Sequence, residues 1–275
     1  MMKRGVQGVI CDWAGTMVDF GSLSPVAAFK EAFGRHGFEV SFEEIRAHMG
    51  MLKLDHTRAI LEATKERFFE KFGFYPTERD AKAIYHHFEP ALFSALKEHS
   101  KPIRGAVEFA EALKEKGIKL GSTTGYTCSM MEVVLNEAGK EGYRPECYVC
   151  PSTYLPGRPN PFMIYKNAIE LEIFPLSSIV KIGDTLSDIR EGLNAGCWSI
   201  GVAMSGNEMG LSLAQMEHLP KNEVDEKLAH ARARLQDAGA HCVIDGIWDA
   251  LPLLELINTK IINGETPCVI DFMKQ

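Results

Sequence analysis

The chain has no run of eighteen or more apolar residues, so no segment is long and apolar enough to cross a bilayer as a helix. It also lacks an excess of positive charge. Its 30 Lys and Arg stand against 37 Asp and Glu, for a net charge of −7, and the basic footprint of a nucleic-acid binder is missing. No internal repeat or low-complexity segment interrupts it. Cysteines are present but lack metal-binding spacing. Cys147 and Cys150 form a lone CxxC with no second pair and no suitably spaced histidines, which argues against a zinc site. ECYVC reads instead as a buried strand. Seven cysteines, an odd number spread along the chain, read as reduced thiols of a cytoplasmic protein. One absence is local. In ICDWAGTMVDF, residues 10–20, Asp12 follows a short apolar run. Two positions later, where many phosphate-transfer enzymes carry a second acid, stands Ala14.

The 275 residues are 45% hydrophobic and 24% charged, a composition that supports a sizeable core in one or two domains. MMKRGVQGVICD is basic and then apolar, but Asp12 breaks the run and no small-residue cleavage site follows. It reads as a first strand, not a leader. Short runs rich in Val, Ile and Cys recur at 8–12, 118–122, 147–150, 179–184, 198–203 and 241–244, as strands do when both faces are covered. Helical spacing fills most intervals: 105–116, ending at Gly117, then 127–139, 161–171 and 185–195. This alternation predicts a parallel sheet with right-handed crossovers. Residues 211–238 are charged and helical in pattern, with no catalytic cluster.

The interval 21–100 breaks the alternation, because it carries only helical patterns. Ser24-Pro25 reads as an N-cap with proline at the first helical position, and Thr77 with Asp80 as a capping box with a shorter acid. The expected organisation is an α/β core over 1–20 and 101–275, with an all-helical cap over 21–100 covering the carboxyl end of the sheet, where open parallel sheets bind ligands.

Four elements fall where a strand meets a loop: Asp12, the cluster Gly121 to Tyr126 (GSTTGY), Arg158 in PGRPNP, and GDTLSD with Asp184 and Asp188. One parallel sheet would bring them to one rim. Hydroxyls and backbone N–H groups near a helix start hold phosphate oxygens, and an arginine fork binds the same group. Asp12 and Asp184 offer the oxygen ligands that Mg²⁺ prefers, and a carboxylate can attack phosphorus. Singly, each has a bland reading as a cap, a turn or a surface residue. The ordered set is far more specific.

That set resembles the haloacid dehalogenase superfamily, from Gly8 to about Gly246, and implies its Rossmann-like core with an inserted cap. Ala14 departs from the superfamily's phosphatases, which carry a general acid there. DWAGTMVD, MGMLKLDH (49–56), GSTTGYT, PGRPNP and GDTLSD together look like the phosphonatase family, the phosphonoacetaldehyde hydrolases. The resemblance implies Asp12 as nucleophile and Lys53 as a Schiff-base amine. It also implies Mg²⁺ held by Asp12, the Ala14 carbonyl and Asp184, with Thr124 and Arg158 on the phosphoryl group. His56, three residues from Lys53, is expected to move a proton or place a water, Asp188 to support Mg²⁺ through water, and Tyr126 and Met49 to line the pocket. Expulsion of carbon needs an electron sink, which an imine of Lys53 provides without a proton donor at position 14. A homodimer through the cap and a small phosphonate substrate complete the expectation. The alternatives are a generic Mg²⁺-dependent phosphatase or phosphomutase, and a catalytically silent binder of phospho-ligands.

Overall fold

A computed structural model describes residues 5–270. The six expected strands all form, with boundaries shifted by a residue or two: β1 (Gly8–Cys11), β2 (Lys119–Thr123), β3 (Cys147–Val149), β4 (Ile179–Gly183), β5 (Trp198–Val202) and β6 (Cys242–Ile244). They make one sheet in the order β3-β2-β1-β4-β5-β6, every pair parallel. Strands β1, β4, β5 and β6 are buried along their whole length. That burial is why their sequences run apolar without alternating. At the edge, β3 differs from the reading of ECYVC as buried: Cys147 is half-buried and Tyr148 is exposed.

Between β1 and β2 the chain forms only helices: α1 (Leu23–Arg35), α2 (Phe42–Arg46), α3 (Lys53–Ala63), α4 (Lys65–Phe72), α5 (Glu78–His99) and α6 (Ala106–Glu115). The rest are α7 (Cys128–Lys140), α8 (Phe162–Glu170), α9 (Leu186–Ala195), α10 (Leu213–His218), α11 (Lys221–Asp237) and α12 (Ala250–Ile262). The helical insertion has an aromatic core of its own. Phe29 on α1 stacks on Phe88 of α5 at 4.1 Å between centroids and meets the His56 ring of α3 at 4.2 Å.

The start of α1 corrects one expectation. The helix begins at Leu23, so Ser24 and Pro25 lie inside its first turn. Capping comes from Asp19, whose carboxylate accepts the N–H of Leu23 at 3.1 Å and of Ser24 at 3.0 Å. An acid four residues upstream replaces the adjacent serine because the chain turns there with Asp19 at φ 56°. At the head of α5, Asp80 accepts from the Thr77 N–H at 2.8 Å and hydroxyl at 2.6 Å, as the Thr77–Asp80 spacing predicts.

Register positions the site. Cys11 of β1 pairs with Ser122 on one side and Ile182 on the other. The following residues, Asp12, Thr123-Thr124 and Gly183-Asp184, therefore leave the sheet together. The strand order reverses at β1, the crevice where doubly wound sheets bind ligands. Replacing Phe29, fully buried between two rings, by Ala should cost about 3–5 kcal/mol of stability, as large-to-small core changes do. Equilibrium urea unfolding measures it.

Candidate active site

A small cavity opens at this rim. Asp12, Ala14, Thr124, Tyr126, Arg158 and Thr185 line it from the sheet side, and Met49, Gly50 and Lys53 from the insertion. The space between them is about 20 Å³, room for roughly one water.

Arg158 organises the floor. Its Nη2 lies 2.7 Å from Asp12, Nη1 3.0 Å from Asp188 and Nε 3.0 Å from Glu191. Nη2 also donates to the Thr123 carbonyl at 2.7 Å. Lys181, in the middle of β4, supplies a second buried cation, 2.7 Å from Asp188 and 3.3 Å from Glu191, and donates to Thr123 Oγ1 at 3.0 Å. Sequence reading missed Lys181 and Glu191. The signal was a lysine inside the apolar run IVKIG, since a cation on a fully covered strand must have an acidic partner.

Asp12, Asp184 and Asp188 place ligand oxygens within 4.8 Å of one another, all buried. Burial pushes the Asp12 carboxyl up against the opposing pull of Arg158. Burial also raises Asp184 well above the usual carboxylate range, reinforced by the charges of Asp12 and Asp188. Asp188 escapes: burial alone would raise it, but Arg158 and Lys181 outweigh that and hold it low. Asp184 has no cation at ion-pair distance among the described residues. Its partners are the Asn207 N–H at 2.8 Å and the Thr16 hydroxyl at 3.5 Å. Four carboxylates, counting Glu191, face two cations, Arg158 and Lys181. The oxygens of Asp12, Asp184 and Asp188 could hold a divalent cation, which would offset this excess of acids, and hard oxygen donors suit such an ion.

Lys53 opens α3 and is 3% exposed, with Nζ 5.0 Å above the Tyr126 ring. Desolvation is the main cause that lowers its pKa from 10.5 to about 8, with Arg158 adding to it against Asp12. Thr124 Oγ1 accepts the Tyr126 N–H at 3.0 Å. The structure thus gathers Asp12, Ala14, Met49, Lys53, Thr124, Tyr126 and Arg158 around the cavity, with Asp184 and Asp188 beneath. His56 is placed apart. It does not line the cavity but turns into the insertion's core, where Nε2 donates to the Ile45 carbonyl at 2.7 Å. Burial first, then Lys53, keeps it uncharged.

The insertion touches the rim through glycines. A Cβ on Gly125 would stand 2.6 Å from the Met51 carbonyl oxygen, and one on Gly50, at φ +85°, would collide with Thr185 Oγ1. Only bare backbone lets these surfaces meet so closely.

Residues 9–202 match the haloacid dehalogenase-like hydrolase family. The chain belongs to that family. Among curated relatives of this hydrolase, the phosphonoacetaldehyde hydrolase of Syntrophobacter fumaroxidans is 46% identical over 95% of both chains. That of Bacillus cereus is 42% identical over 93% of this chain and 97% of its own. A crystal structure of a phosphonoacetaldehyde hydrolase-like protein from Oleispira antarctica superposes with a TM-score of 0.92 at 38% identity, covering 97% and 98% of the two chains.

Exchanging Lys181 for Met should destabilise the protein by about 3–5 kcal/mol, because buried carboxylates lose a counter-charge. Chemical denaturation at pH 7 reads the loss.

Proposed function

We propose that this chain hydrolyses the carbon–phosphorus bond of phosphonoacetaldehyde to acetaldehyde and phosphate. The observation that carries the reading is the buried Lys53 amine facing Asp12 and Arg158 across one cavity, with Ala14 where an acid would protonate an ester oxygen. The names of relatives at 42–46% identity along nearly the whole chain support it. Residues 21–100 act as a cap over a core of 1–20 and 101–275. A cavity of about 20 Å³ cannot admit the substrate, so the cap opens for entry.

The neutral Lys53 amine condenses with the aldehyde, releasing water, and the protonated imine becomes the electron sink. An Asp12 oxygen attacks phosphorus while Arg158, Thr124 and nearby backbone N–H groups hold the phosphoryl oxygens. The carbon–phosphorus bond breaks, its electron pair forms the C=C bond of an enamine, and the C=N π pair moves onto the Lys53 nitrogen. Protonation of the enamine carbon, then hydrolysis of the imine, releases acetaldehyde and restores Lys53. Water finally cleaves the aspartyl phosphate. Tyr126 and Met49 shape the pocket around the imine, while His56, turned to the Ile45 carbonyl, stands outside the cavity where it was expected to move a proton or place a water. Mg²⁺, held by Asp12, the Ala14 carbonyl and Asp184 with Asp188 behind them, would neutralise phosphoryl charge when bound. The odd cysteine count supports a reducing, cytoplasmic setting, and the protein works as a homodimer joined through the cap.

Ala14 also weighs against a generic phosphatase, and a complete nucleophile, arginine and acid set weighs against a silent binder. Phosphonoacetaldehyde, with alcohol dehydrogenase and NADH reporting acetaldehyde, tests the reading directly. Wild-type protein should oxidise NADH in step with phosphate release, and no signal would refute the assignment. Borohydride added with substrate should leave a covalent adduct on Lys53 by mass spectrometry. Lys53→Arg should lose the adduct and at least about a thousandfold in turnover, since the charge remains but the nucleophilic amine does not.

The pH dependence follows from the lowered amine. Only unprotonated Lys53 condenses, so its reactive fraction is small at pH 6 and rises as pH climbs through about 8. Single-turnover rates should rise to a plateau above that point, whereas an ordinary lysine would keep rising toward 10.5.

A further inference from the structure

The insertion meets the core at a second place, which the chemistry above does not use. Arg46 ends α2, seven residues before Lys53, and its guanidinium reaches the loop after β5. Nη1 donates to Asn207 Oδ1 at 3.1 Å, to the Asn207 carbonyl at 3.3 Å and to the Gly21 carbonyl at 3.1 Å. Nη2 donates to the Gly210 carbonyl at 3.2 Å. Asn207 returns a bond, from Nδ2 to the Arg46 carbonyl at 3.2 Å. The guanidinium lies directly on Gly210, where a Cβ would stand 2.7 Å from Nε. All of these acceptors are neutral.

Asn207 also faces the carboxylates. Its backbone N–H donates to Asp184 Oδ2 at 2.8 Å. A Cβ on the preceding Gly206 would stand 2.6 Å from Asp184 Cβ, so the loop is packed against that side chain. Ser205 donates to the Gly15 carbonyl at 2.8 Å and accepts the Gly21 N–H at 2.7 Å. One short loop therefore touches Asp184, the turn after Asp12, the turn at Gly21 that leads into the insertion, and Arg46.

We infer that Arg46 is a positioning residue: its reciprocal bonds with Asn207 latch the helical cap that carries Lys53 to the loop that orients Asp184, so that cation binding and burial of Lys53 are linked. The inference rests on reading residues 21–100 as a cap. Neutral acceptors make the latch releasable, because water replaces a carbonyl at little cost, whereas breaking a buried ion pair strands a charge. Linkage runs both ways. An ion that orders Asp184 and Asn207 tightens the latch, and the latch raises affinity for the ion by the same factor.

The test needs no turnover. Mg²⁺ binding to the full-length protein is followed by calorimetry, and reductive methylation of Lys53 by formaldehyde and cyanoborohydride is timed by peptide mass spectrometry with and without Mg²⁺. In the wild type, Mg²⁺ should slow Lys53 labelling by about fivefold or more, the scale of ordinary coupling between sites. Arg46→Met should weaken Mg²⁺ binding by about tenfold, as loss of groups supporting a metal ligand does, and should abolish the protection. Asn207→Ala keeps the backbone N–H on Asp184 but loses the side chain. It should give the same two effects, with no further change in the double variant. The inference is overturned if Mg²⁺ leaves wild-type labelling unchanged, if the single variants bind Mg²⁺ and are protected as the wild type is, or if their effects simply add. Failure of the carbon–phosphorus reading would show separately, as wild-type protein that links Mg²⁺ to Lys53 but yields no acetaldehyde.

Discussion

The site depends on a buried charge imbalance. Arg158 and Lys181 share Asp12, Asp188 and Glu191 beneath the cavity, and Asp184 has no cation of its own among the described residues. Buried carboxylates are tolerated when paired or protonated, and a divalent cation among these oxygens would relieve the excess of acids. The fold creates this need by topology. Parallel strands β1 and β4 lie side by side in register and release Asp12 and Asp184 at the same height. The two cations are spent on Asp12, Asp188 and Glu191, which leaves Asp184 without a counter-charge among the described residues.

The same crowding explains how a lysine in the cavity is kept partly uncharged. Lys53 is brought over the floor by a helix whose other face is tied into an aromatic core, and closing that face removes water from the amine. Asp12 would favour the ammonium, but Arg158 sits on Asp12 and offsets it. Lys53 can thus give up its proton near pH 8 although an acid lies beside it.

Much of this was legible in the sequence. The six Val/Ile-rich runs became six strands, because full burial imposes an unbroken apolar run, and the residues after four of them carry the site. Lys53, Arg158 and Asp184 stood out because their motifs occur in a fixed order. Lys181 and Glu191 did not, since a lone charge in a strand looks like an edge residue until its partner on α9 is known. Arg46 and Asn207 were silent for a related reason: they meet across 161 positions, and two of their three bonds run to backbone carbonyls, which leave no pattern in side-chain type. The cap of α1 was misread because Asp19 acts from four residues upstream, and only the turn at Asp19 brings it there.

Arg158 reaches the centre of the molecule from its periphery. Its loop springs from β3, three residues long, paired on one side only and with Tyr148 facing solvent. A buried cation of the site thus hangs from an edge strand held on one side only. Fraying of that outer ribbon would pull the guanidinium off Asp12, so substitutions on an outlying surface would reach the centre of the site.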